Sequence, residues 1–189
     1  SPINAAILEG EDVTGVTTMY MGSGWDDGDI ILQAVEPILP RDTAGELHDR
    51  LMVKGAQLLR ETVLQIASGE APRLTQDHGQ ATFAFKLTKQ DALVNFRRSA
   101  PELDRLIRGM NPWPLAYTLI GEETLKIWQA YPSEQQGRPR EILALDERGL
   151  LVGCQVGSLF LQKVQRPNGK VISGVDLANG LRLRVGEFL

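Results

Sequence analysis

The sequence is poor in the residues that most often advertise a site. It holds one cysteine, Cys154, and two histidines, His48 and His78, in 189 residues. A lone cysteine excludes an intrachain disulfide and a cysteine-only metal site, and neither histidine has the cysteine or histidine neighbours of a zinc site. Apolar stretches all fall well short of the ~20 residues of a membrane-spanning helix. A basic segment followed by an apolar stretch, the mark of a signal peptide, is missing. So are a phosphate-binding P-loop, a GxGxxG turn after a strand and a GxSxG elbow. Cations are scarce in the first part of the chain. Before Lys86 there are 5 lysines and arginines against 13 carboxylates, and from Lys86 onward 15 against 11. The balance of −8 followed by +4 describes an acidic module joined to a basic one, and the basic one suits a polyanion.

What is present reads as two modules. In the first, Pro2 to Leu8 is a short helix with proline at its start and Gly10 after its end. Val16 to Met21 and Ile30 to Val35 are strands. Thr43 to Ser68 is the clearest helix, with a capping box in Thr43 and Glu46, apolar residues from Leu47 to Ile66 at helical spacing, and Gly69 as its stop. Two strands are too few to stand alone under such a helix. The first module therefore looks incomplete, and further residues are expected upstream of Ser1. Glu70 to Gln80 is polar and carries Pro72 and Gly79, so it reads as an extended linker, ending in a pairing strand where Phe83, Phe85 and Leu87 alternate.

In the second module, Ser99 and Glu102 form another capping box ahead of Leu103, Leu106 and Ile107, and Asn111-Pro112-Trp113-Pro114 ends that helix. Strands follow at Leu115–Ile120, Thr124–Ala130, Glu141–Leu145, Leu150–Gln155 and Leu159–Gln165, then a short helix near Ser173–Asn179 and a last strand at Leu181–Val185. Cys154 falls in a buried strand and has a structural place there. Many short strands in ~100 residues point to a small closed or partly open barrel, OB-like in the first instance.

The most informative segment is the loop between the first two strands, Gly22-Ser23-Gly24-Trp25-Asp26-Asp27-Gly28-Asp29. Its glycines permit close backbone approach, and a carboxylate held at a strand end can orient another group or accept a proton. Asp26, Asp27 and Asp29 lack EF-hand spacing and a closing bidentate glutamate, so no metal is expected. Lys86, Lys89, Arg97, Arg98, Arg105 and Arg108 gather at the entry to the basic module, where a groove would contact phosphates. Trp113 and Trp128 suit a core as well as a stacking platform.

Taken together these segments resemble the methionyl-tRNA formyltransferase family. Pro2-Ile3-Asn4 is similar to the end of its SLLPRxRGxxPI segment. Thr14-Gly15-Val16-Thr17 through Gly24-Trp25-Asp26-Asp27-Gly28-Asp29-Ile30 is similar to its TGVTxMxMDxGLDTGDI motif. Asp42 to Leu51, Ala84 to Lys89 and Arg105 to Tyr117 match the following helix, the linker end and the C-terminal domain. The resemblance covers essentially the whole chain. It implies the C-terminal part of a Rossmann-like α/β formyltransferase domain (residues 1–70), a linker (71–85) and an OB-like β-barrel that helps bind tRNA (86–189).

The implied reaction moves a formyl group from 10-formyltetrahydrofolate to the α-amine of initiator methionyl-tRNA, without a metal, in a cytoplasmic monomer. An Asn, a His and an Asp serve it in the family, and the Asp matches Asp26. The Asn and His precede the SLLP segment, as does most of the folate site, so the 189 residues alone are expected to be inactive and His48 does not replace the missing histidine. Gly22, Trp25 and Asp27 depart from the usual Asp, Leu and Thr. Formyl transfer to an amino sugar nucleotide is one alternative, disfavoured by the basic module, and a non-catalytic tRNA-binding module is another.

Overall fold

The computed structural model describes residues 1–189. The chain begins with helix α1 (Pro2–Glu9), closed by Gly10 in the left-handed region. Strands β1 (Val13–Met19) and β2 (Ile30–Pro37) form an antiparallel hairpin. Helix α2 (Ala44–Ser68) lies across it. Thr43 caps α2 by accepting the Glu46 N–H, while the Glu46 carboxylate accepts the Thr43 N–H, and Gly69 ends the helix at φ 78°. Leu47 and Leu51 of α2 bury with Ile7 and Ala44 in a small core backed by Val16 and Ile38. A second line of apolar side chains on α2, Met52, Leu59, Val63 and Ile66, is exposed.

The second unit starts after a long connection. Helix α3 (Ala100–Gly109) is followed by β3 (Tyr117–Ile120), β4 (Glu123–Ser133), β5 (Ile142–Asp146), β6 (Gly149–Gly153), β7 (Ser158–Gln165), β8 (Val171–Ser173) and α4 (Gly174–Leu181). The strands make one antiparallel sheet in the order β3-β4-β7-β6-β5, with β8 on β7. Every residue of the inner strand β6 is buried. Its Leu150 and Val152 join Leu103, Ile107, Leu125 and Leu159 in the main core. Each such side chain contributes roughly 1.5–3 kcal/mol of burial, so the second unit carries most of the chain's stability. Cys154 is fully buried, and that burial pushes its thiol up to about 12.

The expected barrel is met only in part, and two further expectations are corrected. No ladder joins β3 to β5, so the sheet is an open path. Arg140 spans the opening instead, donating to Leu119 O (2.7 Å) and Leu189 O (2.7 Å). Residues 83–87 form no strand, and Phe83 and Phe85 are more than four-fifths exposed, because alternation makes a strand only where a free edge waits for it. Leu181–Val185 is not a strand either. Helix α4 runs on to Leu181, the chain turns through Arg182 at φ 55°, and the tail pairs later, with Gly186 N–H on Ile142 O and Leu189 N–H on Arg140 O.

The two units share a polar seam. Helix α1 lies on α3, with Asn4 Nδ2 donating to Gly109 O at 2.7 Å and Arg105 Nε to Leu8 O at 3.3 Å. The start of α2 meets the turn after α3, where Gly45 N–H donates to Asn111 O at 3.1 Å. Between them sits buried Asp104, which accepts from Arg41 Nη1 and Arg108 Nε, both at 2.8 Å. Arg41 also donates to Ala130 O and Arg108 to Asp42 O.

Asp42 itself is buried, and Arg50 grips it with both terminal nitrogens while donating through Nε to Glu36. Burial alone would raise the Asp42 carboxyl, but the Arg50 guanidinium and the Leu39 N–H outweigh it and hold the carboxyl below its ordinary value. Glu36 is also held low, by hydrogen bonds from Lys54 and Arg50. Depressed carboxyls contribute stability in full above their unfolded pKa of about 4 and lose it as pH falls through the folded values. Arg50→Ala is therefore expected to move the acid unfolding transition to higher pH, followed by circular dichroism from pH 7 to 2; an unmoved transition would count against this cluster as the acid-sensitive element.

Candidate active site

The Asp26 loop is built from its neck upward. The register of the hairpin pairs Thr18 with Leu32 and then Met19 with Ile30, leaving Ile31 as a bulge at the base of the loop. A bulge adds local twist and re-aims the residues beyond it. The Thr18 hydroxyl fills the disturbed ladder, accepting from Leu32 N–H and meeting Thr62 Oγ1 of α2 at 2.8 Å. Tyr20 N–H then donates to Asp29 O at 2.9 Å and closes the neck.

Within the loop one glycine is sterically required. A Cβ on Gly28 would fall 1.7 Å from the backbone atom Tyr20 O, whereas one on Gly22 would meet only the end of the Asp27 side chain. The Asp27 carboxylate is folded inward, one oxygen accepting from Gly24 N–H at 2.9 Å and the other buried without a partner. Asp29 points to the linker, where Arg73 Nη1 lies 2.9 Å away. The three acids therefore diverge. Only the Asp26 carboxylate makes no hydrogen bond or ion pair, and Asp26 is exposed, at φ 53°. Trp25 beside it is wholly exposed. A free carboxylate on a fixed backbone can accept a proton, or orient and charge-stabilise a group that does.

Neither histidine joins this loop by its side chain. Thr62 marks the level of the loop's base on α2, and His48 lies 14 residues earlier on that helix, about 21 Å along the axis at 1.5 Å per residue. His48 instead contacts Asp49 at 3.2 Å. His78 is exposed in a short 3-10 turn at His78–Gln80.

The six basic residues are divided. Lys86, Lys89, Arg97 and Arg98 are exposed, and Arg98 pairs with Glu102 at 3.3 Å. Arg105 and Arg108 are half-buried in the seam and already have acceptors. A cleft of about 480 Å³ opens beside Arg108, lined among others by Arg41, Asn111, Trp128, Tyr131 and Lys163, with Arg41 stacked 4.3 Å above the Tyr131 ring.

Sequence reasoning passes over two features here. One is Asp104, an acid set among the buried positions of α3, which that placement alone makes conspicuous. The other is the linker segment 73–76. Leu74 exchanges both backbone bonds with Ile30 (2.8 and 3.0 Å), and Gln76 Nε2 donates to Asp26 O and Gly28 O at 2.8 and 2.7 Å. An apolar residue inside a polar linker is the signal that could have found it.

Residues 1–63 match the family model described as formyl transferase, and residues 86–182 match formyl transferase, C-terminal domain. The chain belongs to the formyl transferase family. The curated methionyl-tRNA formyltransferase of Acetivibrio thermocellus is 38% identical over 192 residues, covering 100% of this chain and 62% of the relative. That of Stutzerimonas stutzeri is 42% identical over 182 residues, covering 96% of this chain and 58% of the relative. The chain thus spans about three-fifths of the length of these relatives. Among solved structures, HypX from Aquifex aeolicus in complex with tetrahydrofolic acid has a TM-score of 0.73 at 17% identity, over 98% of this chain and 33% of that one, a likeness of fold. No helix is long and apolar enough to cross a membrane.

Proposed function

We propose that this chain serves the transfer of a formyl group from 10-formyltetrahydrofolate to the α-amine of methionyl initiator tRNA. The observation that carries the reading is the identity of about two in five residues, spread over both units, with relatives named for that activity. In the reaction the amine attacks the formyl carbon, an oxyanion develops, and the C–N bond to the folate breaks as the amine loses its proton. Asp26 is assigned as the carboxylate that orients and charge-stabilises the proton acceptor. Its freedom from internal partners and its fixed backbone support that role.

Residues 86–189 are assigned to tRNA, as an OB-like unit whose sheet stays open. Lys86, Lys89, Arg97 and Arg98 are the candidate phosphate contacts, because they are exposed. Arg105 and Arg108 are reassigned to holding the units together.

The test has two arms. Formyl transfer is assayed with this chain joined behind the part of the Acetivibrio thermocellus relative that precedes its matched stretch. Methionyl-tRNA is expected to be formylated, and turnover of an amino sugar nucleotide with none of methionyl-tRNA would overturn the reading. In parallel, tRNA affinity of the chain is followed against salt. Binding is expected to weaken steeply, and removing Lys86 or Lys89 to reduce the log–log slope by about 1 each. Arg108→Ala is expected to lower thermal stability and leave the slope nearly unchanged. A salt-independent affinity would refute the basic contact surface.

A further inference from the structure

We propose that Gln76 is a positioning residue for Asp26, so that the linker sets the conformation of the catalytic loop. This rests on the assignment of Asp26 above. Asp26 lies at φ 53°, a conformation a non-glycine residue holds only when its surroundings fix it. The surroundings are on the linker. One side-chain nitrogen of Gln76 carries two hydrogens, and two backbone carbonyls receive them, those of Asp26 and Gly28. These carbonyls flank Asp27, so a single amide group pins both sides of the turn.

The rest of the segment secures Gln76 in turn. Leu74 is bonded in both directions to Ile30, the first residue of β2. Arg73 binds Asp29 at 2.9 Å and lies 3.8 Å above the Tyr20 ring, so it grips both sides of the loop neck. The three contacts occur at successive points along residues 73–76, in register with the loop base. None of them is needed for either hydrophobic core, since Leu74 is 58% exposed and Gln76 lies outside both clusters. A linker that served only as a spacer would not need them.

The amide group is the element that matters, and it gives a specific test. Gln76→Ala removes both donors. In the 189-residue chain, NMR is expected to show the Asp26 backbone shifts leaving their left-handed values and the Tyr20 and Ile30 amides exchanging at least 10-fold faster. The amides of β6 and the melting temperature are expected to stay unchanged. Gln76→Glu sets a carboxylate against two carbonyl oxygens. It is expected to disorder the loop more than alanine at pH 7 and to recover part of the native shifts on acidification, when the neutral acid can donate one hydrogen bond. Asp26, Asp27, Asp29 and Arg73 also face this region, so Gln76→Ala at each pH serves as the control for their titration.

In the formyl-transfer assay, Gln76→Ala is expected to lower kcat about 10- to 100-fold with KM for tRNA within twofold, the effect of a misplaced group. Unaltered Asp26 shifts in Gln76→Ala, or a glutamate variant that matches alanine at every pH, would overturn the inference. So would an unchanged kcat in Gln76→Ala when Asp26→Asn is inactive, and the functional reading would then survive. If Asp26→Asn keeps full activity, the assignment of Asp26 fails, and with it the catalytic meaning of the clip, while the formyl-transfer reading stands and the NMR arm still decides whether Gln76 shapes the loop.

Discussion

In the joined chain of the formyl-transfer assay, Asp26→Asn is expected to lower turnover by about 10²- to 10⁴-fold, the range for loss of a positioned acid–base or orienting carboxylate. The substitution suits the question for a structural reason. Asn adopts the left-handed conformation as readily as Asp, so the turn at φ 53° is preserved while the charge is removed. The loop's own bonds leave the Asp26 side chain alone and use its carbonyl, which Asn retains. Single-turnover rates would therefore report chemistry and not a collapsed loop. Affinity for tRNA, which the proposal above assigns to the second unit, is expected to stay within twofold. Near-normal turnover would remove Asp26 from the mechanism, and an equal loss in rate and affinity would make it a binding residue. Asp27→Asn is a useful companion. Its side chain lies inside the loop against Gly22 and Gly24, so its effect is expected on loop order and only through that on rate.

Much of this site is legible in the residue order. The glycine spacing around Asp26 points to close backbone approach, and Gly28 stands where a Cβ would collide with the Tyr20 carbonyl. Both capping boxes, at Thr43–Glu46 and Ser99–Glu102, are written in the order of four residues, because the interaction is local. The features that stay hidden are non-local. Phe83, Phe85 and Leu87 have the period of a strand, yet the linker makes its pairing at Leu74, where β2 offers a free edge. The tail after α4 pairs at Gly186 and Leu189 and not at 181–185, because a left-handed Arg182 first turns the chain. The six basic residues look alike in sequence, and only the packing of α1 on α3 and the approach of the Asp42 carbonyl ahead of α2 separate the two that hold the seam from the four that face solvent.

That seam carries the second large effect. Asp104→Ala is expected to destabilise the chain by about 3 kcal/mol, because it removes a buried carboxylate and leaves the largely buried Arg108 without its ion-pair partner. Arg108 is the more affected, since its side chain is only 13% exposed, whereas Arg41 at 43% can turn outward. The loss goes beyond one ion pair. Arg108 also bonds Asp42 O and Arg41 also bonds Ala130 O, so both bridges between the units depend on the anion that aligns their guanidiniums. Asp104→Asn keeps one acceptor and is expected to fall between alanine and the parent. Urea unfolding measures the stability. Limited proteolysis across residues 70–92 then separates a loosened seam from a weakened core, because the main core lies wholly within the second unit. Faster linker cleavage with a persisting second unit is the expected outcome. A change below 0.5 kcal/mol, roughly that of an exposed pair, would mean that α1 on α3 and Gly45 on Asn111 hold the units without the arginines.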